Sequence, residues 1–580
     1  MIPLRLFLGA LLLCGATLGA FAASAAPRPN IILIMTDDQG YGDLAIHGNP
    51  LLETPHLDAL ARGSATMTNF YVSPVCSPTR ASLMTGRYNY RTRVIDTFKG
   101  RSMMDPSEVT VAELLRAAGY ATGIFGKWHL GDNYPMRATD QGFEQALTIR
   151  GGGLAQPSDP IENERRYTDP IVFRNNRPEK AKGFCTDVFF DGALDFVASA
   201  QRAGRPFFAY IAPNAPHDPL HDVPPALYAK YKARDLSSVI LGPGKDTDAM
   251  ARIYAMVENV DENIGRLMAR LEAQRLLANT IVIFMCDNGP ASLRYVGPMR
   301  GKKSEPLDGG IRSPFYVHWP ARLKPGTASD RIAAHLDVLP TLLDAAAVPV
   351  PAGLKLDGRS ILPLLEGRSA PWPDRTLVFQ SHRGNRPVPA HNMTVRTQRW
   401  KLVHPTGFTR ESPAADAPFE LYDLVADPRE QNNLAVAQPE ILRRLRAEYD
   451  TWFADVSSTR PDNYAAPRIV IGTDAETETV LTRQNWRVPD TGDNNREGTW
   501  LLRAERDATY DVELRWLKPM APGTIEVRAG QVVRTVELRE AADRVLVTDL
   551  RIPPGELAFT ATHRAGKMTE GAYHAMLVRR

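Results

Sequence analysis

An apolar run that ends in two acids, PNIILIMTDD, occupies residues 29–38. A continuous apolar run of this length, bounded by turn residues, is typical of a strand buried inside a parallel sheet. A second such run, TIVIFMC, spans residues 280–286 and leads into Asp287 and Asn288. Because α/β proteins place their ligands where parallel strands end, the two runs predict an α/β fold with a site at that edge of its sheet.

Four oxygen-bearing side chains follow the two predicted strands: Asp37, Asp38, Asp287 and Asn288. Two adjacent acids need a cation, or else the pKa of one of them rises. Taken alone, Asp37 and Asp38 also fit a surface turn or a helix N-cap pair. The second strand end favours a divalent cation, since hard oxygens suit Ca²⁺ or Mg²⁺ rather than zinc. We predict calcium, with magnesium as the alternative.

The composition is that of a large globular protein without a dominant charge. The chain has 580 residues, 43% of them hydrophobic and 23% charged, and its formal net charge is +3. This length suggests about four domain-sized units. So small a net charge gives no bulk field that would attract nucleic acid or an acidic membrane surface, so neither is an expected partner. Function therefore has to be sought in a site.

The first 26 residues have the pattern of a secretory signal. A short segment with Arg5 precedes an apolar run over residues 6–21, and small residues follow at 22–26. An N-terminal membrane anchor is the alternative, but the run is short and ends in small residues, which favours cleavage. We expect an exported protein, periplasmic or secreted, that is free of the membrane after cleavage.

A lone cysteine introduces the stretch CSPTRASLMTGR, residues 76–87. The simplest interpretation of Cys76 is a small buried hydrophobe. However, Ser77 and Pro78 suit a helix entry, where free N–H groups and the helix dipole favour negative charge. Arg80, one helical turn after Cys76, could hold an anion beside it. The stretch therefore predicts an anionic substrate and a reactive group at position 76.

This stretch resembles the signature of the type I, formylglycine-dependent sulfatases, such as arylsulfatases. The segment GYATGIFGKWHLG at residues 119–131 resembles the second signature of that family, and the likeness extends over roughly residues 28–456. It implies that a formylglycine-generating or sulfatase-maturating enzyme converts Cys76 to formylglycine, the nucleophile in its hydrated form. It also implies that Asp37, Asp38, Asp287 and Asn288 bind the cation, with residue 76 as a further ligand.

Two histidines and a lysine are further candidates. Lys127 and His129 alternate along a predicted extended segment, so both can face one site. The alternative is an exposed lysine and a core histidine. His217 lies in the motif PHDP, the setting of an active-site histidine in the sulfatases, and the nearby His221 is the structural alternative.

The lysine segment of the family resembles residues 301–312, GKKSEPLDGGIR. Alignment to the Asp-Gly-Gly end selects Lys303 as the sulfate-binding lysine. Residues 304–306 depart from the family pattern, so the choice between Lys303 and Lys302 stays open.

The implied reaction is hydrolysis of a sulfate ester, of either an aryl sulfate or a sulfated saccharide. The cation and Arg80 favour an ionised hydroxyl on residue 76, which attacks sulfur while Lys127 and Lys303 neutralise sulfate oxygens. His217 protonates the leaving alcohol, and His129 takes a proton from the second hydroxyl so that the aldehyde re-forms and sulfate leaves. The rivals are a phosphate or phosphonate monoester hydrolase of the same superfamily and a non-catalytic binder of sulfated glycans.

The predicted division is a signal peptide at 1–26, a catalytic domain at 27–375, a small subdomain at 376–456 and an accessory all-β module at 467–580. The resemblance implies an alkaline-phosphatase-like α/β sandwich with a mixed, mostly parallel sheet. The subdomain is predicted as an antiparallel sheet with a helix at 439–455, and residues 150–183 as a long loop on the substrate side. The module has short alternating strands. A carbohydrate-binding role for it is open, but a structural cap or oligomer surface is favoured because a fold alone implies no function.

Two cysteines have no role in this scheme. Cys14 leaves with the signal and Cys76 is assigned to modification, so Cys185 and Cys286 remain. They could pair in an oxidising compartment, but the sequence does not give the distance between them.

Overall fold

The computed structural model describes residues 28–369, 371–488 and 496–580. The predicted signal peptide lies outside these residues. Within the described ranges, no helix is both long and apolar enough to cross a bilayer.

The strands of the N-terminal part alternate with helices, as an α/β fold requires. They are β1 (Asn30–Thr36), β2 (Ala65–Met67), β3 (Phe70–Tyr71), β4 (Ala121–Lys127), β5 (Gln145–Ile149), β6 (Ile171–Arg174), β7 (Arg177–Lys180), β8 (Phe207–Ala212), β9 (Thr280–Cys286), β10 (Phe315–His318), β11 (Ala328–Ser329) and β12 (Ala333–Ala334). The helices are α1 (Pro55–Arg62), α2 (Cys76–Thr85), α3 (Val111–Ala117), α4 (Cys185–Arg202), α5 (Pro225–Lys232), α6 (Thr247–Ala273), α7 (Asp308–Ile311), α8 (Val338–Ala345) and α9 (Leu362–Leu365).

A large mixed sheet forms the centre of this part. Among the described residues its strand order is β11-β2-β10-β9-β1-β8-β4-β5-β6-β7. The central strands β9, β1, β8, β4 and β5 are parallel, and antiparallel pairs flank them on both sides. The register of β1 on β9 pairs Thr36 with Cys286, so the two strands end side by side.

Helices cover both faces of the sheet, because alternate residues of the buried strands point to opposite sides. One face of β1, with Ile32 and Ile34, packs against α4 and α6. The other face, with Ile31 and Leu33, packs against α2, α3 and α8. The result is a three-layer sandwich in which the carboxyl ends of the parallel strands meet at one edge.

Several predicted elements are confirmed, and one is wrong. The strands predicted from the two apolar runs are β1 and β9, and helix α3 begins with a capping box at Thr110. The segment 150–183 is not a continuous loop, since β6 and β7 form a hairpin that extends the central sheet. The sequence signal was weak because β7 has no buried residue; pairing with β6 holds it in place.

A smaller antiparallel sheet follows, as predicted. Its strands, β13 (Leu377–Gln380), β14 (Met393–Arg396), β15 (Trp400–His404) and β16 (Glu420–Asp423), pair in that order. The helix α10 (Pro439–Ser457) packs on the sheet through Leu445 and Tyr449.

The C-terminal module is a sandwich of two β-sheets. Its strands are β17 (Ile469–Ile471), β18 (Glu478–Thr482), β19 (Trp500–Ala504), β20 (Ala508–Met520), β21 (Gly523–Ala529), β22 (Val532–Leu538), β23 (Ala542–Ile552), β24 (Gly555–Ala565), β25 (Met568–Gly571) and β26 (His574–Arg579). Strands β18, β26, β20 and β23 form one sheet, and the others form the second. Met103 and Met136 of the N-terminal part are buried in the core of this module, so the two units share apolar packing.

Candidate active site

The carboxyl ends of β1 and β9 bring the predicted oxygen donors together. Because the strands run parallel in register, Asp37 and Asp38 lie beside Asp287 and Asn288. The Asn288 amide donates to Asp38 Oδ1 at 2.8 Å, and the backbone N–H of Asp38 donates to Asp287 Oδ1 at 3.2 Å. All four side chains are buried.

The donor set fits a hard divalent cation. Asp37 Oδ1 and Asn288 Oδ1 are buried and have no hydrogen-bond partner among the described residues. Burial, and then repulsion from the charge of Asp37, raise the pKa of Asp287 to about 6. Ligand atoms of Asp37, Asp287 and Cys76 lie within 4.8 Å of one another. Oxygen ligands that lack hydrogen bonds and repel each other are what Ca²⁺ or Mg²⁺ would satisfy.

Three buried or half-buried cations face these carboxylates. Arg80 lies 2.8 Å from Asp287 Oδ2, and Lys127 Nζ lies 2.7 Å from Asp37 Oδ2. Lys303 Nζ lies 2.6 Å from Asp38 Oδ1. Although burial would raise the pKa of Asp38, Lys303 and His217 beside it hold that pKa below its usual value. The site is thus strongly charged in both signs, and its cationic groups are placed to meet an anionic substrate.

Cys76 is the first residue of α2, as the Ser-Pro-Thr turn indicated. Val75, which is extended, precedes it, and every residue of the helix is buried. Cys76 itself is only 2% exposed. Arg80, one turn later, also donates to the carbonyl of Lys127 at 2.8 Å. The helix therefore fixes the side chains of residues 76 and 80 on the same side, toward the carboxylates.

His129 reaches the site by a route that the sequence pattern does not predict. β4 ends at Lys127, and His129 has a left-handed backbone with φ of 60°, so the expected extended alternation stops short of it. Its Nε2 lies 2.7 Å from the carbonyl of Thr97, which can only accept, so Nε2 carries the proton. Nδ1 is left as a buried acceptor with no partner in the described chain. Burial, then the charges of Lys127 and Arg80, hold the pKa of His129 well below its usual value.

His217 lies against the carboxylates of Asp37 and Asp38. It follows β8, and Tyr167 supports its backbone by donating to the carbonyls of Asn214 and His217. Its Nδ1 donates to the carbonyl of Asp218 at 2.7 Å, and Nε2 lies 3.8 Å from Asp38 Oδ2. Burial lowers its pKa, but the carboxylates of Asp37 and Asp38 outweigh it and raise the pKa to about 9.

The structure distinguishes the candidate histidines and lysines left open by the sequence. His221 is exposed to solvent. The backbone N–H of Lys303 donates to the carbonyl of Pro290, and the backbone N–H of Ser304 donates to the carbonyl of Pro74. These two bonds hold Lys303 beside the site. The charge of Lys302 acts on Glu305 instead, where it partly offsets the rise that burial gives to the pKa of that carboxyl. Both lysines line a cavity of about 480 Å³, whose far wall comes from the small antiparallel subdomain with Asn392 and Phe408.

Comparison with known protein families identifies the family to which this chain belongs. The model of the family described as Sulfatase matches residues 29–348. The chain belongs to the sulfatase family. A second model, N-sulphoglucosamine sulphohydrolase C-terminal, matches residues 305–451. The predicted resemblance to type I sulfatases is confirmed, and with it a sulfuric ester hydrolase.

Individual relatives of the sulfatase agree with this assignment. This chain is 34% identical to arylsulfatase A of Homo sapiens over 472 residues, which cover 74% of this chain and 88% of that protein. It is 32% identical to N-acetylgalactosamine-6-sulfatase of Canis lupus familiaris over 386 residues, 62% of this chain and 70% of that protein. The solved structure of Ps i-CgsB in complex with k-i-k-neocarrahexaose is 26% identical, with a TM-score of 0.65 over 75% of this chain and 94% of that one. The predicted alkaline-phosphatase-like α/β fold is confirmed.

The remaining cysteines of the sulfatase are not paired. Cys185 and Cys286 are both free and buried. Cys286 lies beside Thr36, with the two side chains 3.4 Å apart, while Cys185 lies 3.7 Å from Asn214. Both therefore behave as small core residues.

Three residues at the site of the sulfatase were missed from the sequence. Gly152 passes so close to His129 that a Cβ there would lie 2.4 Å from Cε1 of the ring. Thr97 supplies the carbonyl described above, and Gln484, from the C-terminal module, donates to that same carbonyl at 2.7 Å. The glycine run at 151–153 was a signal for close backbone approach. Nothing in the local sequence marked Thr97 or Gln484.

Proposed function

We propose that the sulfatase uses a formylglycine formed from Cys76 as its nucleophile and a calcium ion held by Asp37, Asp38, Asp287 and Asn288, with magnesium as the alternative. The observation that carries the proposal is the burial of Cys76 within 4.8 Å of donor atoms of Asp37 and Asp287, beside two oxygens, Asp37 Oδ1 and Asn288 Oδ1, that no described residue hydrogen-bonds. When bound, the cation supplies positive charge that favours an ionised hydroxyl on residue 76.

The first step forms a bond between sulfur and an oxygen of modified residue 76. Arg80 and Lys127 lie against the neighbouring carboxylates, where their charges offset the anion that approaches. Lys303 stands at the cavity side of the site, placed to neutralise a sulfate oxygen. As the bond from sulfur to the alcohol breaks, His217 gives a proton from Nε2 to the leaving oxygen. Nδ1 is held by Asp218, so the ring presents Nε2 in a fixed direction.

The second step releases sulfate and restores the residue. His129 has a bare Nδ1 because its Nε2–H donates to Thr97, so it is placed to take the proton from the second hydroxyl. The carbon–oxygen bond to sulfate breaks, the aldehyde re-forms, and a water molecule hydrates it again. A serine has no second hydroxyl, so it could not complete this elimination.

We further propose that the substrate is a sulfated saccharide rather than a small aryl sulfate. The cavity of about 480 Å³ beside Lys303 has room for sugar rings next to the sulfate position. One relative is named N-acetylgalactosamine-6-sulfatase, and another was solved with a neocarrahexaose.

We also propose export to the periplasm or the medium, because residues 1–26 have the composition of a secretory signal.

The test is turnover by protein co-expressed with a maturating enzyme. We expect release of sulfate from sulfated saccharides, a Cys76 peptide with the mass of formylglycine, and bound calcium. Wild-type activity from a chain whose Cys76 is an unmodified thiol would contradict the assignment of formylglycine as the nucleophile. A higher kcat/KM on an aryl phosphate than on the matching aryl sulfate would favour the phosphate monoester hydrolase instead.

A further inference from the structure

The turn that follows β18 of the C-terminal module is inserted into the N-terminal part. Its Gln484 is only 1% exposed. The carbonyl of Gln484 accepts from the N–H of Gly100 at 2.7 Å, and its side-chain Nε2 donates to the carbonyl of Thr97 at 2.7 Å. One residue of the module thus holds both ends of the segment 97–100.

The carbonyl of Thr97 has two donors, and the second is His129. The Nε2 atoms of Gln484 and His129 are 3.3 Å apart and both lie 2.7 Å from the same oxygen. The amide orientation follows from chemistry, because a Gln484 oxygen in that place would face the lone pairs of the carbonyl. The two nitrogens therefore donate side by side, and neither accepts from the other.

This arrangement leaves the imidazole little freedom. Its Nε2–H is committed to Thr97, Nδ1 is the remaining acceptor, and Gly152 closes on the Cε1 side. The ring direction is then set by where the Thr97 carbonyl points. That carbonyl lies in a segment whose position depends on Gln484 at both ends.

We propose that Gln484 is a positioning residue for His129, so that the C-terminal module completes the active site rather than only covering the protein. The family models end at residues 348 and 451, before this module begins, so they assign no role to Gln484. The inference rests on the proposed role of His129 in the second step. A purely structural Gln484 would stabilise the interface without any specific link to His129.

A double-mutant cycle separates these two roles. Gln484→Met keeps the length of the side chain and removes the amide donor. We expect kcat to fall about 10-fold or more, as for residues that orient a catalytic ligand. His129→Ala should lower kcat further, with a burst of alcohol release and sulfated enzyme accumulating. Adding Gln484→Met to His129→Ala should then change kcat by less than about 2-fold, because the residue through which Gln484 acts is gone.

The matched control is the adjacent Asn485, which is also buried and also crosses this interface. Its amide donates to Asn133 Oδ1 at 3.2 Å and has no bond to the segment 97–100. Asn485→Ala should leave kcat within about 2-fold of wild type. An equal loss for Gln484→Met in both His129 backgrounds, or no loss in the wild-type background, would overturn the proposal.

A spectroscopic measurement decides the same point without turnover. The ¹⁵N spectrum of His129 should show the Nε2–H tautomer in wild type and a mixture of tautomers in Gln484→Met. An unchanged spectrum would contradict the proposal. Full activity of His129→Ala would instead reject the proposed step for that histidine, and the ¹⁵N spectra would still report on Gln484. Should Gln484→Met not fold, Gln484→Asn, one methylene too short to reach Thr97, makes the same test.

Discussion

The site of this sulfatase has two halves that are held in place by different means. The strand-end half lies at or just after the ends of parallel strands and consists of Asp37, Asp38, Lys127, Asp287 and Asn288. The loop half lies on turns whose position depends on distant contacts and consists of His129, Gly152, His217, Lys303 and Gln484. The first half is fixed by the register of the sheet, so it moves only if the sheet moves. The second half is fixed by a few local hydrogen bonds and close approaches, so one substitution can displace one of its residues.

Cys76 belongs to neither half, because α2 carries it into the space between them. Cys76→Ala should lower kcat by about 10⁴-fold or more, since the proposed nucleophile is lost. The thermal midpoint should change little, because the substitution removes a single sulfur atom. Calorimetry and steady-state kinetics on the same preparation check both expectations. Substantial residual turnover would show that another group attacks the substrate.

Removing a strand-end carboxylate should damage metal binding and rate together. Asp287→Ala removes one proposed oxygen ligand and leaves Arg80 buried without its partner at 2.8 Å. We expect a loss of about 100-fold in kcat, with bound calcium falling well below one per chain. Elemental analysis of the purified protein measures the calcium content.

The control for Asp287 is a buried carboxylate with an arginine partner outside the site. Asp337 is fully buried and paired with Arg375. Asp337→Ala should lower the thermal midpoint, yet the folded fraction should keep its calcium. Unchanged metal content and rate in Asp287→Ala would rule out the proposed ligand set.

Removing a loop-half histidine should give a loss that depends on the substrate. His217 is proposed to protonate the leaving alcohol, and an activated phenol needs little help. His217→Ala should therefore lose about 100-fold in kcat on a sugar sulfate and about 10-fold or less on an activated aryl sulfate. Rapid-mixing kinetics on both substrates measures the difference. An equal loss on both would mean that the residue only packs or orients.

The smallest expected effect comes from adding one methyl group to the loop half. Gly152→Ala would place a Cβ 2.4 Å from Cε1 of His129, so the ring has to shift. We expect about a 10-fold loss of kcat from this displacement. Gly63→Ala is the control, because its Cβ would lie 3.2 Å from another histidine, His318, away from the site. Similar kinetics for the two variants would argue against a tightly held His129.

The strand-end half could be predicted from the sequence because two physical rules coincide there. An apolar run such as residues 30–36 has to be buried, and parallel strands end at a common edge. Acids that follow two such runs therefore meet, as Asp37 and Asp287 do. The N-terminal position of Cys76 on its helix was also foreseeable, from the Ser-Pro-Thr turn.

The loop half could be predicted only through family resemblance, and then incompletely. His129 itself has a left-handed backbone conformation, which turns it into the site. No periodicity in the sequence predicts such a conformation. The hairpin β6–β7 is held by pairing rather than by burial, so its sequence resembles a loop. Gln484 acts through residues that are 387 positions away in the chain, and a local pattern carries no information on such a contact.

The shared packing of Met103 and Met136 with the C-terminal module has a consequence for how the chain is made. A ribosome delivers these methionines and the segment 97–100 long before it delivers Trp486 or Gln484. Until then the two methionines are exposed, and the N–H of Gly100 has no carbonyl from the module. This surface of the N-terminal part therefore stays uncovered until the last fifth of the chain arrives, and a product that stops after α10 would keep an apolar surface prone to aggregation.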